Sequence, residues 1–350
     1  MNPGPISNDS PPSRERGIAD LDGEHQRLLV RAINRLLSTE LAEFTFAQIL
    51  DGLPTGDVAY DSPAMPYGEH PIGTVHDELC PGMVDKVREF RSQFQLDTLG
   101  FNSQLILAYR PCSPDSRGFQ TRLVELVAVA VHQIAVLLFE LDSSLHKDDG
   151  VTDWAPPKSD ECYWRHQPNG PLPTLFHHPW YKDYQQYPQG ISDMVGYWAE
   201  SRIFGGVVLF DRRSPTGSGL EVDPNAIYLH PNRQEITYRI FQLLPDQLSA
   251  FVDFLLADDP PPISPFPILP DENNRIRVDP EKPIQSTGIY RDPWERVELG
   301  RDQGDCRFRT VWDRREYPST EDYLASRGRA QSRKYRIISE ASDSEDEGRE

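Results

Sequence analysis

Residues 191–211 read ISDMVGYWAESRIFGGVVLFD, and the change of period inside this run decides the fold. Ile191, Met194, Val195 and Trp198 stand at i, i+3, i+4 and i+7, the spacing of one helix face, with Ser192 available as a cap near the start. From Arg202 to Asp211 the chain is apolar on both alternating faces, which is how a strand covered on both sides reads. AIYLHPNRQEITYRIF (226–241) then predicts two strands about a turn containing Pro231 and Asn232. Pro245, at a position where a helix lacks N–H partners anyway, opens a helix with Leu248, Phe251, Val252 and Leu255 on its inner face. Helix, strand, hairpin and helix in that order predict an α+β fold, a mixed or antiparallel sheet under helical cover.

Upstream, Asp20 or Asp22 caps a helix whose stripe is Leu21, Leu28, Leu29, Ala32, Ile33 and Leu36. A short second helix carries Leu41, Phe44, Ile49 and Leu50, and the stretch from Gly52 through Pro71 reads as loop. RLVELVAVAVHQIAVLLFEL (122–141) is the most apolar run, of marginal length for a membrane span. Its Arg122, Glu125, His132, Gln133 and Glu140 share one arc at about 100° per residue, so it reads as a long buried central helix, wet along one edge. Residues 1–18 are expected to be a disordered arm and 19–259 the main domain. PPPISPFPILPDENN (260–274) reads as a stiff proline-rich connector, residues 275–336 as a segment returning to the body, and 337–350 as an acidic disordered tail.

Asp and Glu total 55 against 36 Lys and Arg, a formal net charge of −19, which repels a phosphate backbone and argues against nucleic acid as a partner. Cys80, Cys112, Cys162 and Cys306 lie far apart without a C-x-x-C pair, and the N-terminus lacks an apolar signal core. Free thiols in the cytoplasm or nucleus follow as the expectation. A zinc site from these cysteines is not expected, because none has a ligand partner at finger spacing.

No catalytic signature emerges: G-x-S-x-G, G-x-x-x-x-G-K-[ST], G-x-G-x-x-G and H-E-x-x-H are all absent. SPTGSG (214–219) sits between strands rather than before a helix, so it reads as a loop and not as a phosphate cradle. His177 and His178, with Asp183, are the weak metal candidates. Adjacent histidines in an extended chain face opposite sides, so a packing role is expected, with no metal and no cofactor. Tyr197, Glu200, Arg202 and Asp211, beside the gap left by Gly205 and Gly206, are the expected lining of any ligand pocket. Ser342 and Ser344, each with an acidic residue three positions on, are the candidate phosphorylation sites.

At YPQGISDMVGYWAESRIFGGVVLFDR (187–212) the chain resembles a group of uncharacterised filamentous-fungal proteins, a likeness that extends through the AIYLHP hairpin. The resemblance implies no established activity; such groups are sometimes encoded among secondary-metabolite genes, which implies an accessory role. The buried strand, hairpin and closing LSAFVDFLL (248–256) are also similar in pattern to the end of SUKH-type domains, which are binding modules. Aromatic density without catalytic spacing leads to the expectation of a non-catalytic intracellular protein with a protein partner, small molecules being a further class of ligand. The alternative is an enzyme of unrecognised class with its cleft near Tyr197, Glu200, Arg202 and Asp211.

Overall fold

Asp22 accepts the His25 amide at 3.0 Å and starts α1 (Gly23–Leu37), the second of the two caps expected. Thr39 accepts the Ala42 amide and starts α2 (Glu40–Asp51), which Gly52 closes in the left-handed conformation. Two short turns follow, α3 (Gly56–Tyr60) and α4 (Ile72–Val75), then α5 (Met83–Gln93) and α6 (Ser103–Tyr109). The apolar run becomes α7 (Arg117–Glu140), capped by Ser116; α8 (Glu161–His166), α9 (Ile191–Phe204), α10 (Pro245–Leu256) and α11 (Ile284–Thr287) complete the named helices. This computed structural model describes residues 15–332, apart from 144, 147–148, 214–221, 260, 262, 298–313, 315–316 and 318. The 214–219 loop, the acidic tail, Cys306, Ser342 and Ser344 therefore lie outside the described residues, as does most of the N-terminal arm.

The fold is α+β, as the change of period predicts. β1 (Glu15–Arg16) pairs with β2 (Phe101–Asn102), while β3 (Val207–Asp211), β4 (Ile227–His230), β5 (Ile240–Gln242), β6 (Arg277–Val278) and β7 (Ile289–Tyr290) form an antiparallel sheet in the order β6-β5-β4-β3-β7. β3 is buried throughout, and its side chains alternate as a doubly covered strand requires. Val208 and Phe210 enter the large core with α7 and α9, whereas Val207 and Leu209 enter a second core with Tyr181, Tyr187 and Tyr197.

α7 runs through the large core against α1, α2, α6 and α9. Among the described residues it is the one helix long and apolar enough to cross a membrane, and 72% of its most apolar window is buried inside the fold. Its closest neighbour is α9, where a Cβ at Gly196 would lie 2.5 Å from the His132 ring.

Several boundaries depart from the sequence expectation, each for a packing reason. Glu15 and Arg16 pair as β1 and Ile18 is fully buried, so residues 15–18 of the expected arm are part of the fold. Gly190, not Ser192, caps α9, and every residue after Ile191 in that helix is buried rather than one stripe. The expected tight hairpin opens into a nine-residue connection, 231–239, because β5 starts only at Ile240. Within the proline-rich stretch, Phe266 and Ile268 insert into the large core.

Candidate metal centre

The residues singled out beside α9 do not converge on one cavity. Glu200 and Tyr197 belong to a buried network: His132 Nδ1 lies 2.8 Å from Glu200 Oε1, and His132 Nε2 lies 3.0 Å from Asp193 Oδ1. Arg291 donates to the other Glu200 oxygen at 2.6 Å and to Asp292 at 3.0 Å, and the Tyr197 hydroxyl donates to Asp292 at 3.0 Å. Burial alone would lower the His132 pKa, but the Asp193 and Glu200 carboxylates overcome it and push it up to about 9. Arg202 turns elsewhere, sharing Asp61 with Arg233 at 3.0 and 2.8 Å, and Asp211 accepts two hydrogen bonds from Arg213 at 2.9 and 2.6 Å.

Backbone fills the glycine gap. A Cβ on Gly205 would lie 2.1 Å from the Ile268 carbonyl oxygen, and one on Gly206 would lie 2.8 Å from the His230 backbone. Gly205 also needs its left-handed φ of 97° to turn α9 into β3. None of the six residues lines the adjoining cavities of 410 and 340 Å³; Arg202 borders only a small one of about 10 Å³.

His177 and His178 face apart, as alternation requires. His177 Nδ1 donates to the Thr174 carbonyl at 3.2 Å, while His178 accepts the Trp180 amide and donates Nε2–H to the His230 carbonyl, both at 3.2 Å. Burial lowers their pKa values to about 4 and about 3, so both rings are neutral packing groups. Asp183 instead lies at the start of a short 3-10 turn.

The site that does converge was not expected from the sequence. Asp51, at the end of α2, His76, just past α4, Cys80, ahead of α5, and His146, beyond α7, each place one donor atom within 4.8 Å of all the others. Asp51 is fully buried and His76 nearly so, at 0% and 3% exposure. His76 Nε2 lies 3.2 Å from one Asp51 oxygen, His146 Nε2 lies 3.3 Å from the other, and Cys80 Sγ lies 3.8 Å from His146 Nε2. A tetrahedral zinc, with bonds of about 2.0–2.1 Å to N and O and about 2.3 Å to S, spaces its ligand atoms about 3.3–3.6 Å apart. Three contacts come within a few tenths of an ångström of that spacing, the two histidines meeting different Asp51 oxygens, while the four donors together spread over up to 4.8 Å.

The far side of each imidazole is held as well. His76 Nδ1 donates to the Pro54 carbonyl at 3.0 Å, and His146 Nδ1 donates to the Asp149 carboxylate at 2.6 Å. These acceptors place a proton on each Nδ1 and turn both Nε2 atoms toward the Asp51 carboxylate, the arrangement that orients metal-bound histidines. Without a metal, burial lowers the His76 pKa, but the hydrogen bonds to Asp51 and Pro54 together outweigh it and raise the pKa, favouring a second ring proton. The Cys80 amide donates to Asp51 at 2.8 Å and fixes the carboxylate. Two lone-pair nitrogens, a sulfur and a carboxylate facing one another require positive charge between them, as protons or as a cation. Without a metal, burial together with Asp51 pushes the Cys80 thiol up to about 11, whereas coordination deprotonates a thiol.

The expectation that no cysteine has a ligand partner at finger spacing concerns spacing along the chain, whereas these donors are grouped in space. Cys80 stands four residues after His76, but its other partners are 29 and 66 residues away and meet it only through the fold. The local signals were His76-x-x-x-Cys80 and His146-x-x-Asp149, neither of which is diagnostic without the other. Comparison with protein-family models, with curated proteins and with solved structures finds no match to this chain.

Proposed function

We propose that this chain is a zinc-binding, non-catalytic binding protein whose ion ties together the loop-rich side of the molecule. The carrying observation is the convergence of Asp51, His76, Cys80 and His146 with both imidazoles held from behind. Mixed N, O and S donors at tetrahedral spacing favour zinc over hard cations, which take oxygen ligands. Four protein donors close the coordination sphere, the mark of a structural site rather than a catalytic one.

The surroundings support a structural role. The site stands where the large core, which Cys80 packs against, meets a small one of Leu53, Ala59, Ile72 and Val151. Segments 52–82 and 141–160 carry little regular structure, and an ion joining their ends to α2 replaces apolar burial they do not have. The SUKH-like order of strand, hairpin and helix supports binding over catalysis. That Cys80, Cys112 and Cys162 form no disulfide supports a reducing compartment, cytoplasm or nucleus.

Metal analysis of untagged protein tests this reading, with one zinc per chain as the expected result. The cobalt-substituted protein should show thiolate-to-metal charge-transfer absorption that Cys80→Ser abolishes and His177→Asn leaves intact. A refolded chain that takes up no zinc or cobalt, or a Cys80→Ser variant that binds as tightly as the parent, overturns it.

A further inference from the structure

The two cavities, of 410 and 340 Å³, share His70, Trp154, Pro171, Leu172, Thr174 and Leu175, so they adjoin as two parts of one cleft region. Each is in the size range of small-molecule sites. The larger part is walled by Tyr67, Trp154 and Tyr163, with Tyr67 and Tyr163 ring centroids 4.9 Å apart and His70 and Trp154 rings 4.7 Å apart. Such faces offer stacking area to a flat molecule.

The polar groups are few and defined. His70 Nδ1 accepts the Ile72 amide at 3.2 Å, which makes Nε2 the N–H edge. His177, whose Nδ1 donates to Thr174, offers Nε2 as an acceptor. Among the described residues no carboxylate lines the larger part and Lys182 is its cation, whereas Asp142 lines the smaller part. Lys182 offers a partner to a neutral or singly anionic ligand; a cation meets only the aromatic faces until it reaches Asp142.

The inner wall of this cleft is continuous with the metal centre. Gly52 and Leu53 directly follow Asp51 and line the smaller part. Asp149 accepts His146 Nδ1 with one oxygen and the Val151 amide, at 2.9 Å, with the other, and Val151, Thr152 and Trp154 line the same part. None of the four metal donors is itself a lining residue, so the ion stands behind the wall and out of reach of the ligand.

We infer that this cleft binds a flat, mostly apolar small molecule, neutral or carrying one negative charge, and that the metal centre holds its inner wall in place. The second half rests on the zinc reading above; the first does not. The probe is 1-anilinonaphthalene-8-sulfonate, a flat aromatic monoanion, titrated calorimetrically into the full chain.

Binding with a stoichiometry near one is expected. Ala64 is half-buried and lines the larger part, so Ala64→Trp should weaken the probe about tenfold or more by filling it, with an unchanged unfolding midpoint. Lys182→Glu, at an exposed position, should weaken it severalfold. Removing the ion with a chelator should weaken binding severalfold, and added zinc should restore it. Affinity unchanged by both Ala64→Trp and Lys182→Glu overturns the cleft as the site. Sensitivity to both substitutions, with affinity unchanged after metal analysis confirms removal of the ion, overturns the coupling. A preparation that never holds metal and still binds the probe in the cleft overturns the zinc reading and the coupling with it.

Discussion

His132 shows how one side chain is set by what the fold brings to it. On the surface it would titrate near its ordinary 6.5; between Asp193 and Glu200 it holds its proton up to about 9. A pKa raised on folding contributes stability that is fully present below about pH 6.5 and is lost as pH rises through about 9. The contribution is on the order of 3 kcal/mol at low pH. Urea midpoints should therefore fall between pH 6.5 and 9 beyond the trend of a His132→Gln variant, whose profile flattens in that window. Identical pH profiles for the two proteins would show that the imidazolium is not the group responsible. Gly196 is the companion case: a methyl group there meets the His132 ring at 2.5 Å. Gly196→Ala should cost about 1–3 kcal/mol by overpacking, read as a lower urea midpoint at unchanged m-value.

Among the elements, α7 was legible as a helix from composition and period, and its surroundings set the consequence of each position. Ala130 is fully buried in the large core, whereas Leu137 is 37% exposed. Ala130→Asp should leave no soluble folded protein, because a carboxylate there has no partner and costs several kcal/mol. Leu137→Asp should fold, with a loss of about 1 kcal/mol or less, as thermal melts will show. Equal behaviour of the two would mean that α7 is not oriented as described. The stripe of polar residues on α7 is real, but it is not wet along its length. Glu125 pairs with Arg122 and with Arg212 at the end of β3, and His132 with the α9 carboxylates, so much of what looked like a solvated edge is the seam of α7 with α9 and the sheet.

At the scale of the whole molecule, the candidate metal centre stands where a large apolar core meets a small one. Zinc removal should therefore leave the α1–α2–α7–α9–α10 core standing while loosening segments 52–82 and 141–160. Hydrogen exchange followed by mass spectrometry should show faster exchange in those two segments after chelation and little change in β3 or α9. Metal affinity should also fall on acidification, since protons compete for His76, His146 and Cys80. Uniform exchange changes across the chain, or none, would deny the ion this local role.

By itself the sequence determined the helices with long, regular apolar periods: α1, α2, α7 and α10 stand where the spacing placed them. The strand expected from Arg202 is β3 only from Val207, because residues 202–204 continue α9. It also determined that the fold is α+β, because a period of 3.6 giving way to one of 2 is a local property. Element ends, loop lengths and sites depended on tertiary structure. Ser192 was a sound cap in isolation, and Gly190 took the position because α9 is buried nearly all round. Tyr197, Glu200, Arg202 and Asp211 looked like neighbours along one stretch, but helix and strand geometry sends them into three separate ion-pair networks. Asp51, His76, Cys80 and His146 showed no pattern along the chain, since a coordination sphere is defined by distance in space and their spacings of 25, 4 and 66 residues carry no period. Only the folding of α2, α7 and the loops beyond them brings those four side chains together.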